Sequence, residues 1–214
     1  LHNEFVDPSA ISWTSSAAGN NVLGLLFTYA FGENKNFIIS VGGFNGPGEW
    51  FNDMQVYFQF HWKGEISGRP MNLKLLGVLD NFYTPGGSDD DDVNWGVSWD
   101  WMASDKIGVF FIISGNTENT NDVEMSFSVG MIYTGIGSRE DDQFGVAFGY
   151  LSVNDEVYAS PEDAEWVVEA FYKYMAAGGK FQITPSVQYI GDPAGGTYSE
   201  DALWLLSIRF YVLF

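Results

Sequence analysis

The chain holds two histidines, His2 and His61, far apart in sequence, with no cysteine and no paired carboxylates at ligand spacing beside either. A transition-metal site needs three or four N, S or O donors converging on one point, so no metal is expected. No nucleophile elbow, phosphate loop or dinucleotide fingerprint occurs, and nothing places a serine beside His61 to make a hydrolytic pair. No catalytic residue and no cofactor is assigned. The densest charge run, Asp89-Asp90-Asp91-Asp92, could offer oxygen ligands to Ca²⁺ but lacks the acid and glycine spacing of a calcium loop. A solvated loop is the expected reading.

More informative charges recur at two-residue steps, which puts them on one side of an extended chain. Glu165, Glu169 and Lys173 share a face, and Arg209 falls on the equivalent face of the last segment. Asp53, Lys63 and Asp100 do the same elsewhere, with Gln55, Gln59 and His61, and later Gln182 and Gln188, on the same side. Opposed acids and bases in rows set up a transverse field that orients dipolar solutes, while the amides can bond hydroxyl groups. The same side chains could instead pair with one another and simply fill wall space. Tyr57, Phe171 and Tyr211 share these faces and could stack on a solute or on each other.

Only strands can hold such rows. Of the 214 residues 46% are hydrophobic and 17% aromatic, and the aromatics alternate with Ser, Gly, Asn, Gln and Asp instead of gathering in runs. Met54, Val56, Phe58, Phe60 and Trp62 stand opposite Gln55, Tyr57, Gln59, His61 and Lys63. Trp95, Val97, Trp99 and Trp101 oppose Asn94, Gly96, Ser98 and Asp100. Phe181, Ile183, Val187 and Tyr189 oppose Gln182, Thr184, Ser186 and Gln188. A soluble sandwich rarely loads its apolar face with Trp and Tyr, whereas a bilayer-spanning barrel builds aromatic girdles at both interfaces. A charge facing lipid at mid-depth costs about 2–4 kcal/mol, which drives the charged face into the lumen. The fold class expected is all-β, an antiparallel transmembrane β-barrel of the outer membrane.

Other classes fall away. No run of 18 apolar residues exists, so no membrane-spanning helix is expected. No basic segment followed by an apolar one marks a secretory signal. A net charge of −19 argues against nucleic acid, whose phosphates it would repel. In a barrel, acidic groups in lumen and mouth would favour cations and neutral solutes over anions.

Turn signals divide the chain into eleven strands, near 21–31, 36–45, 51–63, 71–82, 92–103, 106–115, 123–135, 143–153, 164–175, 180–190 and 201–214. Residues 1–20 are expected as a loop or incomplete strand leading into the barrel formed by 21–214. Connections alternate short and long, as periplasmic turns and extracellular loops do, except that Gly64–Pro70 is long for a turn. Eleven is odd where single-chain bacterial barrels are even, so either residues 1–13 add a twelfth strand or more strands lie upstream. The upstream reading is preferred, because Pro8 and poor alternation weaken residues 1–13 as a strand. The last strand ends on Phe210, Val212 and Phe214, a pattern like the C-terminal signal by which outer-membrane barrels are inserted.

Two segments carry a more specific likeness. Gly135-Ile-Gly-Ser-Arg-Glu-Asp-Asp-Gln-Phe-Gly joins a Gly-Arg-acid turn to a Gly-rich strand, and Ile183-Thr-Pro-Ser-Val-Gln-Tyr-Ile-Gly-Asp-Pro-Ala-Gly-Gly follows a Tyr-rich strand. Both resemble the carbohydrate-selective porin (OprB-type) family, as does Gly42-Gly-Phe-Asn-Gly-Pro-Gly. The resemblance implies the C-terminal part of a sixteen-stranded porin in the bacterial outer membrane, passing small hydrophilic solutes and sugars first. It places the family's constriction residues largely upstream of this sequence. The partners it implies are membrane lipid and lipopolysaccharide, small sugars, the barrel-assembly machinery, and a homotrimer or larger outer-membrane complex. Two alternatives remain: a complete twelve-stranded oligosaccharide channel, and a non-conducting barrel serving as a structural anchor.

Overall fold

The structure, a computed structural model, describes residues 24–45, 54–81, 91–117, 123–153, 164–176, 178–193 and 202–213. They form one antiparallel sheet in which each strand pairs with the next in chain order. The strands are β1 (Gly24–Phe31), β2 (Phe37–Asn45), β3 (Met54–Ile66), β4 (Arg69–Asn81), β5 (Asp91–Met102) and β6 (Ile107–Gly115). After them come β7 (Val123–Ile136), β8 (Arg139–Val153), β9 (Ala164–Ala176), β10 (Phe181–Gly191) and β11 (Ala202–Val212). The eleven expected strands are all present, and among the described residues there is no helix. β1 and β11 are the two edges of this sheet. The expected extra strand in residues 1–13, Asp53, Asp89, Asp90 and Phe214 lie outside the described residues.

The structure corrects two turns. β3 and β4 are joined by only Ser67 and Gly68, both left-handed at φ 54° and 71°, as a tight hairpin requires. Gly64 and Pro70, which look like loop residues, sit in the ladder opposite Met71 and Glu65. Likewise β8 begins at Arg139 and not near residue 143, leaving only Gly137 and Ser138 between β7 and β8. With these corrections short connections alternate with long ones without exception, each hairpin turning tightly at one end of the sheet. That is the barrel pattern of short turns and longer loops.

Side chains alternate between two unlike faces. One is shielded: along β6 the pattern runs half-buried, buried, half-buried, buried, and on β10 Thr184, Ser186 and Gln188 are buried between more exposed neighbours. The other face exposes Leu25, Phe27, Val41, Phe58, Leu75, Val129, Leu206, Ile208 and Phe210. A single sheet shields one face and exposes the other when it curls toward the first, as a barrel wall does. The shielded face is therefore the inner one.

Depth is written on the outer face as well. Near the short connections, rings stack across β1, β2 and β3: Phe31 on Phe37 at 5.4 Å between centroids, and Phe37 on Trp62 at 6.4 Å. Near the long connections, Trp166 meets Tyr189 at 5.0 Å and Tyr189 meets Trp204 at 4.8 Å, across β9, β10 and β11. Between these belts the outer positions are apolar, with Val41, Val129, Val168 and Ile208 interspersed with Phe58 and Phe148. Belts carrying Trp and Tyr at the rims of an apolar band match a bilayer with two interfaces.

The inner face is not polar throughout. Phe110, Ile112, Ile132, Ala147, Leu151, Val167 and Phe171 pack into one buried cluster spanning β6 to β9. Glycine makes the room: a Cβ on Gly145 would lie 2.2 Å from the Phe171 ring, and one on Gly130 would lie 2.5 Å from Phe110. Neither ring could fold over its neighbouring strand otherwise. Gly145→Ala should therefore lower folding stability by about 1–3 kcal/mol, the usual cost of overpacking. Equilibrium urea unfolding in lipid vesicles would measure it, and Phe171→Leu should recover part of the loss in the double variant; an unperturbed Gly145→Ala would contradict this packing.

Candidate functional site

Cross-strand register brings the inner polar residues into hydrogen-bonded rows. On β3, β4 and β5, His61 Nε2 lies 3.1 Å from Asn72 Oδ1, and Asn72 Nδ2 donates to Asp100 Oδ1 at 3.0 Å. Tyr57 donates its hydroxyl to Gln59 on the same strand. Lys74 stands opposite His61, and Lys63 opposite Asn72. Further round, Ser114 bonds Ser126 at 3.1 Å, Gln188 donates to Glu169 at 2.9 Å, and Ser186 bonds Ser207 at 2.7 Å. Gln182 donates to Thr184 at 3.1 Å, and Arg209 lies opposite Thr184 on β11.

The expected lining residues thus share one face, but not one environment. Tyr57, Gln59, His61 and Asp100 are half-buried and Lys63 is exposed, whereas Glu169, Lys173 and Gln188 are buried. Glu165 is half-buried. Gln55 has its place in the ladder opposite Asp80, with only its backbone described. Phe171 is buried under the cluster, which removes it as a stacking surface, while Tyr211 stays exposed. Asn72 and Lys74 escape the sequence reading, although they alternate with Leu73 and Leu75 as an inner pair would.

Charge is sorted along the strands. Each of the nine Lys and Arg residues lies in a short connection or within six residues of one: Lys35, Lys63, Arg69, Lys74, Lys106, Arg139, Lys173, Lys180 and, through its pairing with β10, Arg209. The five long connections carry no base but hold Glu118, Asp122, Asp155, Glu156, Glu162 and Asp163 among their acids. The rim of long connections is therefore the more acidic of the two, which disfavours anions there.

Rim architecture also explains the Gly-Arg-acid turn. Asp142 accepts from Arg139 Nε and Nη2, from the Tyr172 hydroxyl and from the Met175 backbone N–H at 3.0 Å. Arg139 also donates to the Met175 carbonyl at 2.6 Å and lies 4.0 Å from the Tyr174 ring centroid. One carboxylate thereby ties the β7–β8 hairpin to the end of β9. Asp91 and Asp92 belong to β5 and not to a loop, so half of the Asp89–Asp92 run is ladder. Among the described residues no group of His, Asp and Glu could hold a metal ion.

A curled antiparallel sheet with a hydrogen-bonding inner face and a belted apolar outer face defines a wall of an outer-membrane β-barrel. Residues 13–214 match the family of the carbohydrate-selective porin, OprB family, and the chain belongs to it. It is a protein of the bacterial outer membrane. The fold is similar to that of Pseudomonas putida OprB in its high-pH structure, at a TM-score of 0.73 and 18% identity. That match covers 87% of this chain and 57% of the other, so the chain spans less than two-thirds of that relative's length. No curated protein matches the sequence.

Asp142 is wholly buried while its neighbours Glu140 and Asp141 are exposed. Asp142→Asn should therefore lower the urea midpoint of the folded barrel clearly, and Asp141→Asn should leave it within error. Equal effects of the two substitutions would show that the clamp contributes nothing.

Proposed function

We propose that this chain forms wall of a passive diffusion channel for small hydrophilic solutes, with neutral sugars as the main class. The observation that carries this reading is the inner face, where donors and acceptors stand in aligned rows at half-buried positions on β3, β4 and β5. A solute losing water in a channel needs such groups in exchange, and each must be weak enough to release it again. Membership of the carbohydrate-selective porin family supports the same solute class. The acidic rim supports exclusion of anions over neutral and cationic solutes.

The reading extends to partners. Lipid and lipopolysaccharide would meet the belted outer face, and the barrel-assembly machinery would engage the last strand through Phe210 and Val212. A homotrimer or larger complex fits a porin, and Glu165, Glu169, Lys173, Gln182, Gln188 and Arg209 would stabilise the lumen wall on the β9–β11 side. Nothing in this arrangement calls for catalysis; the work is done by permeation.

Planar-bilayer recording of the full-length protein tests the proposal. Stable ion conductance, reduced by added glucose and biased toward cations under a KCl gradient, is the expected result. A closed barrel without conductance would instead support the structural-anchor reading, and a strong anion preference would contradict the electrostatic part.

A further inference from the structure

We propose that solutes are held on one side of the inner face, by the His61–Asn72–Asp100 chain with Lys63 and Lys74, and that the charged β9–β10 side is wall and not binding surface. The proposal rests on the channel reading above and adds where, and by which groups, a neutral polyol is held.

Burial separates the two sides. Glu169 and Thr184 are 0% exposed and Gln188 3%, so a solute passing the β9–β10 side meets little of them. On the β3–β5 side His61, Asn72, Lys74 and Asp100 are half-buried and Lys63 is exposed. The same charged and amide side chains thus do different work on the two sides.

Hydrogen-bond direction then sets what the β3–β5 side offers. A carboxylate only accepts, so Asn72 must turn its NH₂ toward Asp100 and its carbonyl oxygen toward His61. That oxygen only accepts in turn, so His61 Nε2 carries the proton, and in the neutral form of the ring Nδ1 is the acceptor. Asp100 uses Oδ1 in the chain, which leaves Oδ2 as a second acceptor. Among the described residues the side chains of Lys63 and Lys74 form no hydrogen bond or ion pair, so their ammonium groups are donors without a fixed partner.

Two acceptors and two donors are interleaved across three strands about 4.8 Å apart. A hydroxyl both donates and accepts, so a ring carrying several hydroxyls can use both kinds at once. An anion would gain the lysines but meet the Asp100 carboxylate, and a simple cation would meet the reverse. The arrangement therefore suits a neutral polyol.

Glucose occlusion of the single-channel current in the full-length protein measures the site. Asn72→Ala and Lys74→Ala should each raise the half-blocking glucose concentration by about three- to tenfold, the worth of one hydrogen bond. Thr184→Val, on the buried side, should shift the glucose concentration less than twofold. Heat-dependent electrophoretic mobility confirms folding of each variant, and Lys74→Ala, which removes no bond from the ladder or the polar chain, carries the test if Asn72→Ala does not fold. Unchanged block in Lys74→Ala, or an equal shift in Thr184→Val, would overturn the location. Stronger block by gluconate than by glucose would overturn the polyol class. Absence of glucose block in the unsubstituted channel would overturn the channel reading itself, and this site with it.

Discussion

Within the hydrocarbon of a bilayer there is no water to satisfy a backbone N–H or C=O, and every such group must find a partner inside the protein. An extended chain meets that demand only by pairing with a neighbour on each side. The up-and-down order of all eleven strands follows, because tight turns let each strand pair at once with the next. Ser67 and Gly68 show how far this goes: both adopt left-handed backbone so that β3 can return as β4 with only these two residues outside the ladder. Pro185 marks one interruption, since it has no N–H to give, and the pairing of β10 with β9 skips Thr184 and Pro185 before resuming in the same register.

Once pairing is fixed, side chains have only two directions to point. Lipid claims one and rewards aliphatic residues at mid-depth with aromatic rings at the rims. The other face must be filled without being sealed. Here the molecule uses two solutions side by side: an apolar cluster from β6 to β9, which Gly130 and Gly145 make possible, and hydrogen-bonded polar rows on either flank. Charge follows the same axial logic, with bases gathered at the short-connection rim and unopposed acids in the long connections. The buried Asp142 belongs to that rim, where it ties two hairpins together.

Much of this architecture is legible in the sequence, because a period of two sustained over ten residues fits an extended chain between two unlike surroundings and little else. Strand identity, the faces and the family likeness can all be read from alternation and turn residues. Gly64 to Pro70 mislead because glycine and proline usually mark loops, and here they continue the ladder opposite Met71 and Glu65. Arg139 to Asp142 mislead because paired acids usually signal solvent, and here one of them is buried against an arginine. Alternation reports a face but not how deeply a side chain is covered, so nothing sets buried Glu169 and Gln188 apart from half-buried His61 and Asp100. Phe110 and Ile112 are silent for another reason: β6 is apolar on both faces and shows no alternation to read.

A barrel wall requires that one face of each strand meets water and the other meets lipid. The sequence contains no cysteine, so single cysteines can be placed along β3 in the full-length protein, reconstituted in vesicles, and probed with a membrane-impermeant thiol reagent. Labelling is expected in strict alternation, with Tyr57→Cys, Gln59→Cys and His61→Cys reacting while Val56→Cys, Phe58→Cys and Phe60→Cys stay protected. Labelling in the opposite phase, or at every position alike, would contradict the two-faced wall.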